Sequence, residues 1–306
     1  MKFAFFDEYT LGVVRDDLIV DVREAVKSVA HVTAQDLISG VIGNYAKLKP
    51  ALEEAARKGK GVPLASVRIR PPLPKPTHIV AMAVNYMEDG ALKEPPKINA
   101  FLKSSSGIIG NGDTITLPPD KASIFHHECE LALVIGKEAS KVKRGDAYNY
   151  IFGYVNFIDA SARNLGGGSF FWGKSWDSFG PMGPFLVTAD EIKNPHDLRM
   201  RMWVNGTPRH NFSTSDMAHD IPECVEWATA VTTLEPGDII STGTNHQGIG
   251  AIQDGDVVEM EGEGLGRLKV FVKDSLGREW PRGIDKSFAD LRAGRTQPPP
   301  PAAPAR

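Results

Sequence analysis

The stretch that decides the fold reads His-His-Glu-Cys-Glu-Leu-Ala-Leu-Val-Ile-Gly over residues 126–136. Its Leu, Val and Ile content predicts a largely buried strand. Because successive side chains of a strand point to opposite faces, Glu128 and Glu130 are expected to project together, and Cys129 away from them. Two buried anions repel each other, and a hard divalent cation would offset that cost. The pattern therefore predicts a metal site, with a solvated strand entrance as the alternative.

A second aromatic and β-branched run covers residues 150–158 and ends on Asp159. An acidic residue at the end of a strand can point into a crevice above the sheet, where ligands commonly bind. Asp159 is therefore predicted to be the third oxygen ligand of the same cation, Mg²⁺ or Mn²⁺, with Ca²⁺ as a further option.

Composition and charge exclude several classes of function. The chain has 306 residues, of which 42% are hydrophobic and 24% charged, as expected for a globular protein with a sizeable core. A net charge of −3 offers little attraction to a phosphate backbone, so no nucleic-acid partner is expected. No apolar run approaches the roughly 20 residues needed to span a bilayer, and the N-terminus lacks a secretory pattern. With two distant cysteines, the sequence predicts a cytoplasmic protein that does not bind membranes.

Four segments are predicted along the chain, and together they predict an α+β fold that is mainly β. Residues 1–70 are expected to form a small N-terminal α+β domain, and the Pro-rich segment 71–76 a linker. Residues 77–290 contain many short strand-like runs and one convincing helix, which Asp220 can cap. Residues 293–306 are mostly Pro, Ala and Arg and are expected to be disordered.

Taken in order, the motifs of residues 79–273 resemble those of the fumarylacetoacetate hydrolase family. The landmarks are residues 84–86, 128–136, 159–163, 174–177, 180–184, 204–206, 234–238 and 242–244. The resemblance implies a mixed β-roll, a divalent metal at Glu128, Glu130 and Asp159, and a homodimer. It also implies enzymes that cleave, isomerise, hydrate or decarboxylate 2-oxo acids and 1,3-diketones, because the metal acts as a Lewis acid and stabilises an enolate.

The resemblance assigns further residues to the site. Lys174 matches the active-site lysine, whose ammonium would complement a developing oxyanion. Tyr86, of the Asn-Tyr pair, and Thr244, in a loop after a strand, are expected to bind substrate. Arg163 and Asp177 are expected either to clamp a substrate carboxylate or to support the loop that carries Lys174.

One departure from the family concerns water activation. Many members carry a histidine three residues after the tyrosine of the Asn-Tyr pair, and a glutamate three residues further on. Here Asp89 and Leu92 occupy those places. Asp89 is the first candidate for a base that activates water, although an unperturbed carboxylate is a weak base at neutral pH. The other candidates are His246 and His126, which shares strand parity with the glutamates if the strand begins that early.

Three functions remain open on these grounds. The first is a metal-dependent enzyme of aromatic catabolism that cleaves a carbon-carbon bond in a small 2-oxo acid or 1,3-diketone, as an acylpyruvate-type hydrolase. The second is an isomerase, hydratase or decarboxylase on the same scaffold, which needs less water activation. The third is a homologue that binds the metal and the ligand without catalysis.

Overall fold

Strands dominate the architecture, which confirms the predicted α+β, mainly β class. The structure is a computed structural model and describes residues 1–296. Its strands are β1 (Lys2–Phe6), β2 (Thr10–Arg15), β3 (Leu18–Asp21), β4 (Val62–Pro63), β5 (Ile69–Arg70), β6 (Ile79–Met82), β7 (Ala100–Leu102), β8 (Ile108–Ile109), β9 (Thr114–Leu117), β10 (Phe125–His126), β11 (Cys129–Ile135), β12 (Ile151–Ile158), β13 (Ser161–Ala162), β14 (Gly180–Thr188), β15 (Arg199–Val204), β16 (Thr207–Ser213), β17 (Ile239–Ser241), β18 (Val257–Gly262) and β19 (Arg267–Asp274).

The helices are short and lie mostly at the two ends of the chain. They are α1 (Arg23–Val26), α2 (Ala34–Gly43), α3 (Tyr45–Lys58), α4 (Phe170–Lys174), α5 (Ile221–Val231) and α6 (Lys286–Arg292). Short 3₁₀ helices cover Leu64–Ser66, Ser105–Gly107, Arg144–Tyr150, Gly166–Gly168, Ala189–Glu191, Thr214–Asp216 and His246–Gly248. Asp220 caps α5 as predicted, because its carboxylate accepts a hydrogen bond from the Glu223 backbone N–H at 2.9 Å. Across residues 1–296, none of the helices combines the length and apolar character that a membrane span requires.

A large sheet passes through the middle of the molecule in the order β4-β3-β2-β1-β14-β12-β11-β17-β6-β7. Strand β11 pairs antiparallel with β12 and is buried over its whole length. Its side chains alternate between two cores, as the strand period requires. Leu131 and Leu133 face one core, whereas Ala132 and Val134 face the other.

A smaller sheet, in the order β16-β15-β18-β19-β9, supplies the second wall of the core that holds Leu131 and Leu133. Its strands alternate buried and accessible residues, so one face packs inward and the other faces solvent. The two-stranded pair β10–β13 lies apart from both sheets. Strand β10 directly precedes β11 and β13 follows β12, so the pair helps to place the residues of the predicted metal site.

The N-terminal segment 1–70, expected to form a small domain of its own, shares the large sheet with the rest of the chain. Strand β1 pairs antiparallel with β14, and Phe3 lies opposite Leu186. Helix α2 covers the face of the large sheet to which Ala132 and Val134 belong. The Pro-rich segment 71–76 therefore does not separate two sheets. Residues 297–306, most of the tail expected to be disordered, lie outside the described residues.

Candidate metal centre and active site

Three carboxylates converge where β11 begins and β12 ends. Glu128 directly precedes β11, Glu130 is its second residue, and Asp159 directly follows β12. The two strands are antiparallel, so the start of one lies beside the end of the other, and the Asp159 N–H donates to the Glu128 carbonyl at 3.1 Å. All three residues are buried, and one carboxylate oxygen from each lies within 4.8 Å of the others. The predicted convergence of Glu128, Glu130 and Asp159 is present.

Basic side chains partly offset these negative charges. The Lys174 ammonium lies 2.6 Å from Glu128 and 2.5 Å from Asp159, and Arg163 donates to the other Glu128 oxygen. Burial acts to raise the pKa of Glu128, but Lys174 and Arg163 outweigh it and hold that pKa well below its usual range. Burial, together with Asp159 and Glu128, raises the pKa of Glu130 well above its usual range.

This donor set fits one hard divalent cation. Three carboxylates in a buried space provide the oxygen ligands that Mg²⁺ and Mn²⁺ prefer. Burial and then repulsion from Asp159 and Glu128 raise the pKa of Glu130, and a bound cation would stabilise its charged form. Cys129 points away as predicted, and its thiol lies 3.7 Å from the Arg201 carbonyl oxygen.

Lys103 belongs to this centre, although no sequence pattern marked it. It follows β7, and its fully buried ammonium donates to Asp159 at 2.6 Å and to the Lys174 carbonyl. Burial lowers the pKa of Lys103, which is the usual effect of desolvating an ammonium. A lysine one residue beyond a short strand carries no signal of its own in sequence. Its place depends on how β7 and β12 are arranged in the large sheet.

A small cavity, partly open to solvent, adjoins the carboxylates. The predicted residues Lys174, Arg163, Thr244 and His246 all line it. Its complete lining is Met82, Ala83, Val84, Phe101, Glu128, Glu130, Arg163, Phe170, Lys174, Gly243, Thr244, His246 and Arg292. The Thr244 hydroxyl accepts from the Cys129 backbone N–H at 3.2 Å, so it is held at the start of β11.

His126 lies behind this cavity, which corrects the expectation that it faces the metal. Strand β10 ends at His126 and β11 starts at Cys129, so the alternation does not continue from His126 to Glu128. Arg163 donates from Nε to His126 Nδ1 at 3.1 Å, and His126 Nε2 lies 3.1 Å from Asp285. Burial lowers the pKa of His126 to about 4, so the ring is neutral and donates to Asp285. It holds Arg163 in place.

Glu88 enters the site, whereas its neighbour Asp89 does not. Glu88, Asp89 and Gly90 have φ values of 57°, 57° and 76°, and this left-handed turn directs the two acids differently. Glu88 is buried and lies 2.6 Å from His246 Nδ1. Asp89 is exposed and does not line the cavity. Partial desolvation of its carboxyl group, together with Asp216 and Glu88, raises its pKa. The structure therefore places Glu88, and not Asp89, beside the cavity, because the sequence spacing did not anticipate this turn. The role of Asp89 in water activation stays a prediction.

Two predicted substrate-binding residues lie away from the cavity. Tyr86 is fully buried in the core, where its ring packs edge-to-face against Phe212 at 5.0 Å. Asp177 is exposed and accepts a hydrogen bond from the Ser106 hydroxyl at 2.8 Å, which supports the loop after Lys174. The position of Asp177 therefore agrees with a role in supporting the loop that carries Lys174. An antiparallel backbone bridge joins Tyr86 to Met217, and the sequence did not reveal this contact.

The comparisons with known proteins agree with this geometry. The model of the fumarylacetoacetate (FAA) hydrolase C-terminal domain matches residues 77–273. Maleylpyruvate hydrolase of Aquipseudomonas alcaligenes is 34% identical over 294 residues, 89% of this chain and 99% of that protein. A crystal structure of maleylpyruvate hydrolase from Sphingobium sp. SYK-6, in complex with manganese (II) ion and pyruvate, gives a TM-score of 0.82 at 36% identity and covers 90% of this chain and 99% of that chain.

An isomerase is also among the relatives. The crystal structure of 2-hydroxyhepta-2,4-diene-1,7-dioate isomerase from Mycobacterium marinum gives a TM-score of 0.64 at 39% identity, over 71% of this chain and 82% of that chain. The family match covers most of the chain and includes all three carboxylates of the metal centre. The chain therefore belongs to the fumarylacetoacetate hydrolase family of metal-dependent enzymes.

Proposed function

We propose that this protein hydrolyses the carbon-carbon bond of an acylpyruvate, a 2-oxo acid that is also a 1,3-diketone, to pyruvate and a carboxylic acid. The observation that carries the proposal is the Glu88–His246 pair, which places an oriented histidine in the cavity that Glu128, Glu130 and Lys174 also line. Hydrolysis requires a base that activates water, whereas isomerisation or decarboxylation of a 2-oxo acid does not.

The hydrogen bonds around Glu88 indicate which nitrogen of His246 carries the proton. Glu88 Oε2 accepts from the His246 backbone N–H at 2.9 Å and from the Gln247 amide at 2.8 Å, so the carboxylate acts as an acceptor. His246 Nδ1 therefore donates to Glu88 Oε1, and Nε2 is left as the basic nitrogen. This is the arrangement that a histidine general base needs, with the carboxylate orienting the ring.

The proposed reaction assigns each group a step. His246 Nε2 accepts a proton from water as the water oxygen attacks the acyl carbonyl carbon. The bond between that carbon and the neighbouring methylene then breaks, and its electron pair remains on pyruvate as an enolate. When bound at Glu128, Glu130 and Asp159, a divalent cation supplies Lewis-acid stabilisation to the oxygens of the 2-oxo acid. Lys174 complements the enolate charge, and the protonated His246 returns its proton to the methylene carbon.

The relatives support hydrolysis without deciding against the alternative. The two maleylpyruvate hydrolases align over nearly their whole length, including the N-terminal segment. The isomerase aligns over a smaller share of this chain. The second candidate, an isomerase or tautomerase of a 2-oxo acid, would use the same three carboxylates and Lys174 but would not depend on His246.

The proposal is tested by incubating the protein with maleylpyruvate or acetylpyruvate in the presence of Mn²⁺ or Mg²⁺. Lactate dehydrogenase then measures the pyruvate that is released. His246→Asn should lower kcat for hydrolysis by about 100- to 10,000-fold, the usual contribution of a general base. Oxaloacetate tautomerisation, if wild-type protein catalyses it, should persist in the same variant. His219→Asn is the matched control, because His219 also pairs with a glutamate, at 2.9 Å from Glu223, but does not line the cavity.

Two outcomes would contradict this account. Absence of pyruvate from every acylpyruvate with either metal would argue against hydrolysis and for the isomerase alternative. Unchanged hydrolysis by His246→Asn would remove His246 from the mechanism. Asp89→Asn, measured in parallel, tests the base predicted from sequence, and a selective loss of hydrolysis there would assign water activation to Asp89.

A further inference from the structure

Arg292 lines the active-site cavity, but it lies beyond the segment that the family model matches. It is the last residue of α6, whereas the matched segment ends at residue 273. Its guanidinium carbon lies 4.8 Å from the centre of the Phe288 ring, and that of Arg163 lies 4.4 Å from the same ring. Stacking on Phe288 restricts the direction of the Arg292 side chain.

Helix α6 is fixed to the site at its start and along one side. Asp285 caps it by accepting from the Phe288 N–H at 3.1 Å, and the same carboxylate lies 3.1 Å from His126. The Gln247 amide donates to the Ala289 carbonyl at 3.3 Å, one residue from His246 in the chain. Arg292 therefore lies on a helix that contacts His126, the residue that holds Arg163, and also contacts the loop that carries His246.

The charge of Arg292 has no partner within residues 1–296. In that part of the chain no oxygen accepts a hydrogen bond from its guanidinium, no carboxylate forms an ion pair with it, and its Nε is buried without a partner. The other cations near the metal centre are paired: Lys103 contacts Asp159, Lys174 contacts Glu128 and Asp159, and Arg163 contacts Glu128. A half-buried guanidinium without an acceptor is costly unless a ligand supplies one.

Arg292 also lies between the active-site cavity and a second groove. Arg163 and Arg292 border both the cavity and a wider groove on the other side of them, whose remaining lining includes Ser123, Asn164 and Ser287. A substrate bound with its 2-oxo acid end at the carboxylates would direct its acyl end away from them. A guanidinium recognises a carboxylate with two parallel hydrogen bonds, and this is the acceptor that Arg292 lacks.

We propose that Arg292 binds a second substrate carboxylate, at the end of the acyl chain distal to the 2-oxo acid, and so selects dicarboxylic acylpyruvates over those with an apolar acyl end. This inference rests on the proposed hydrolase function for the orientation of the substrate. It assigns specificity to the C-terminal helix, outside the segment shared across the family.

The first test compares two substrates that differ at a single group. Succinylpyruvate ends in a carboxylate, whereas butanoylpyruvate has the same chain length and ends in a methyl group. Arg292→Gln should lower kcat/KM for succinylpyruvate by roughly 10- to 100-fold, the range expected for loss of a charge-assisted hydrogen bond, and leave butanoylpyruvate unchanged. Arg292→Lys, which keeps the charge without the planar fork, should recover part of the loss. Arg295→Gln is the control, because Arg295 pairs with Asp290 at 2.9 Å and does not line the cavity.

The second test is independent of turnover. Calorimetry of the Mn²⁺-loaded protein with 2-oxopimelate and 2-oxoheptanoate should show weaker binding of the dicarboxylate in Arg292→Gln, by a similar factor, and unchanged binding of the monocarboxylate. Equal losses for both compounds, or none for either, would overturn the role of Arg292. If wild-type protein hydrolyses neither acylpyruvate, the proposed function fails. The calorimetric comparison still decides whether Arg292 binds a second carboxylate.

Discussion

At the scale of single residues, the metal centre is a set of buried charges that depend on one another. Asp159 accepts from both Lys103 and Lys174, and Glu128 accepts from Lys174 and Arg163. Buried ions are tolerated only when they are paired, so removal of one member leaves the others uncompensated. Burial acts to raise the pKa of both Glu128 and Glu130. Lys174 and Arg163 outweigh burial at Glu128 and lower its pKa, whereas the two neighbouring carboxylates add to the effect of burial at Glu130.

Asp159→Asn tests the metal centre with the smallest change in shape. Because the variant removes one anionic ligand, Mn²⁺ should bind more weakly by more than about 100-fold, beyond the effect typical of an outer-shell partner alone. Isothermal titration calorimetry would measure this. Asp177→Asn is the matched control, since Asp177 lies in a nearby loop and only accepts from Ser106. Unchanged Mn²⁺ affinity in Asp159→Asn would remove Asp159 from the ligand set.

At the scale of elements, the break between β10 and β11 determines which residues His126 and His127 contact. The sequence predicts a largely buried strand within residues 126–136, in which His126 shares the parity of the glutamates only if the strand begins that early. In the structure, His127 and Glu128 lie between two strands with different partners. His127 Nδ1 lies 3.2 Å from His210 Nε2 of β16, and both rings are buried. This contact joins the start of β11 to the smaller sheet. It also places two neutral histidines in the interior.

The stability of the protein should therefore fall as the pH falls below neutrality. Burial lowers the pKa of His210 to about 3, whereas an unfolded histidine titrates near 6.5. Between these values the unfolded chain binds a proton that the folded chain does not. The stabilising contribution is thus complete above pH 6.5 and is lost as the pH decreases towards 3.

His210→Gln should reduce this pH dependence. The difference between the free energies of unfolding at pH 7.5 and pH 5 should shrink by about 2 kcal/mol relative to wild type, because one histidine no longer takes up a proton on unfolding. Urea unfolding at the two pH values would measure it. His31→Gln, at an exposed position, should leave the wild-type difference intact. The same pH difference in His210→Gln and wild type would show that His210 does not titrate in this way.

At the scale of the whole molecule, the N-terminal segment and the metal-binding part share one core. Phe3 of β1 is fully buried, and its ring lies 6.2 Å from Phe152 of β12 and 6.1 Å from Tyr45 of α3. The face of β11 that carries Ala132 and Val134 belongs to the same cluster. Residues 1–70 therefore complete the burial of the large sheet, and we expect the chain to unfold in a single transition.

Phe3→Ala tests this shared core. It should lower the free energy of unfolding by about 3–5 kcal/mol, the range for deletion of a buried aromatic side chain, and should shift a single transition. Phe271→Ala, at a position of β19 that is 40% exposed, should change stability by less than about 1 kcal/mol. Denaturant unfolding followed by circular dichroism and tryptophan fluorescence would show both effects. A separate early transition in Phe3→Ala would show that the N-terminal segment unfolds as an independent domain.

The sequence alone determined the class of fold, the principal strands, the capped helix α5 and the three carboxylates of the metal centre, because these depend on local alternation and on the ends of strands. Only the tertiary structure decided which other side chains join them. Lys103, Glu88 and Arg292 reach the site from three separate segments, and Tyr86 and Asp89 leave it. The physical reason is that these placements depend on strand order, on a left-handed turn at Glu88 and on the docking of α6. Each of these arises from contacts between residues far apart in the chain, and local sequence patterns do not encode them.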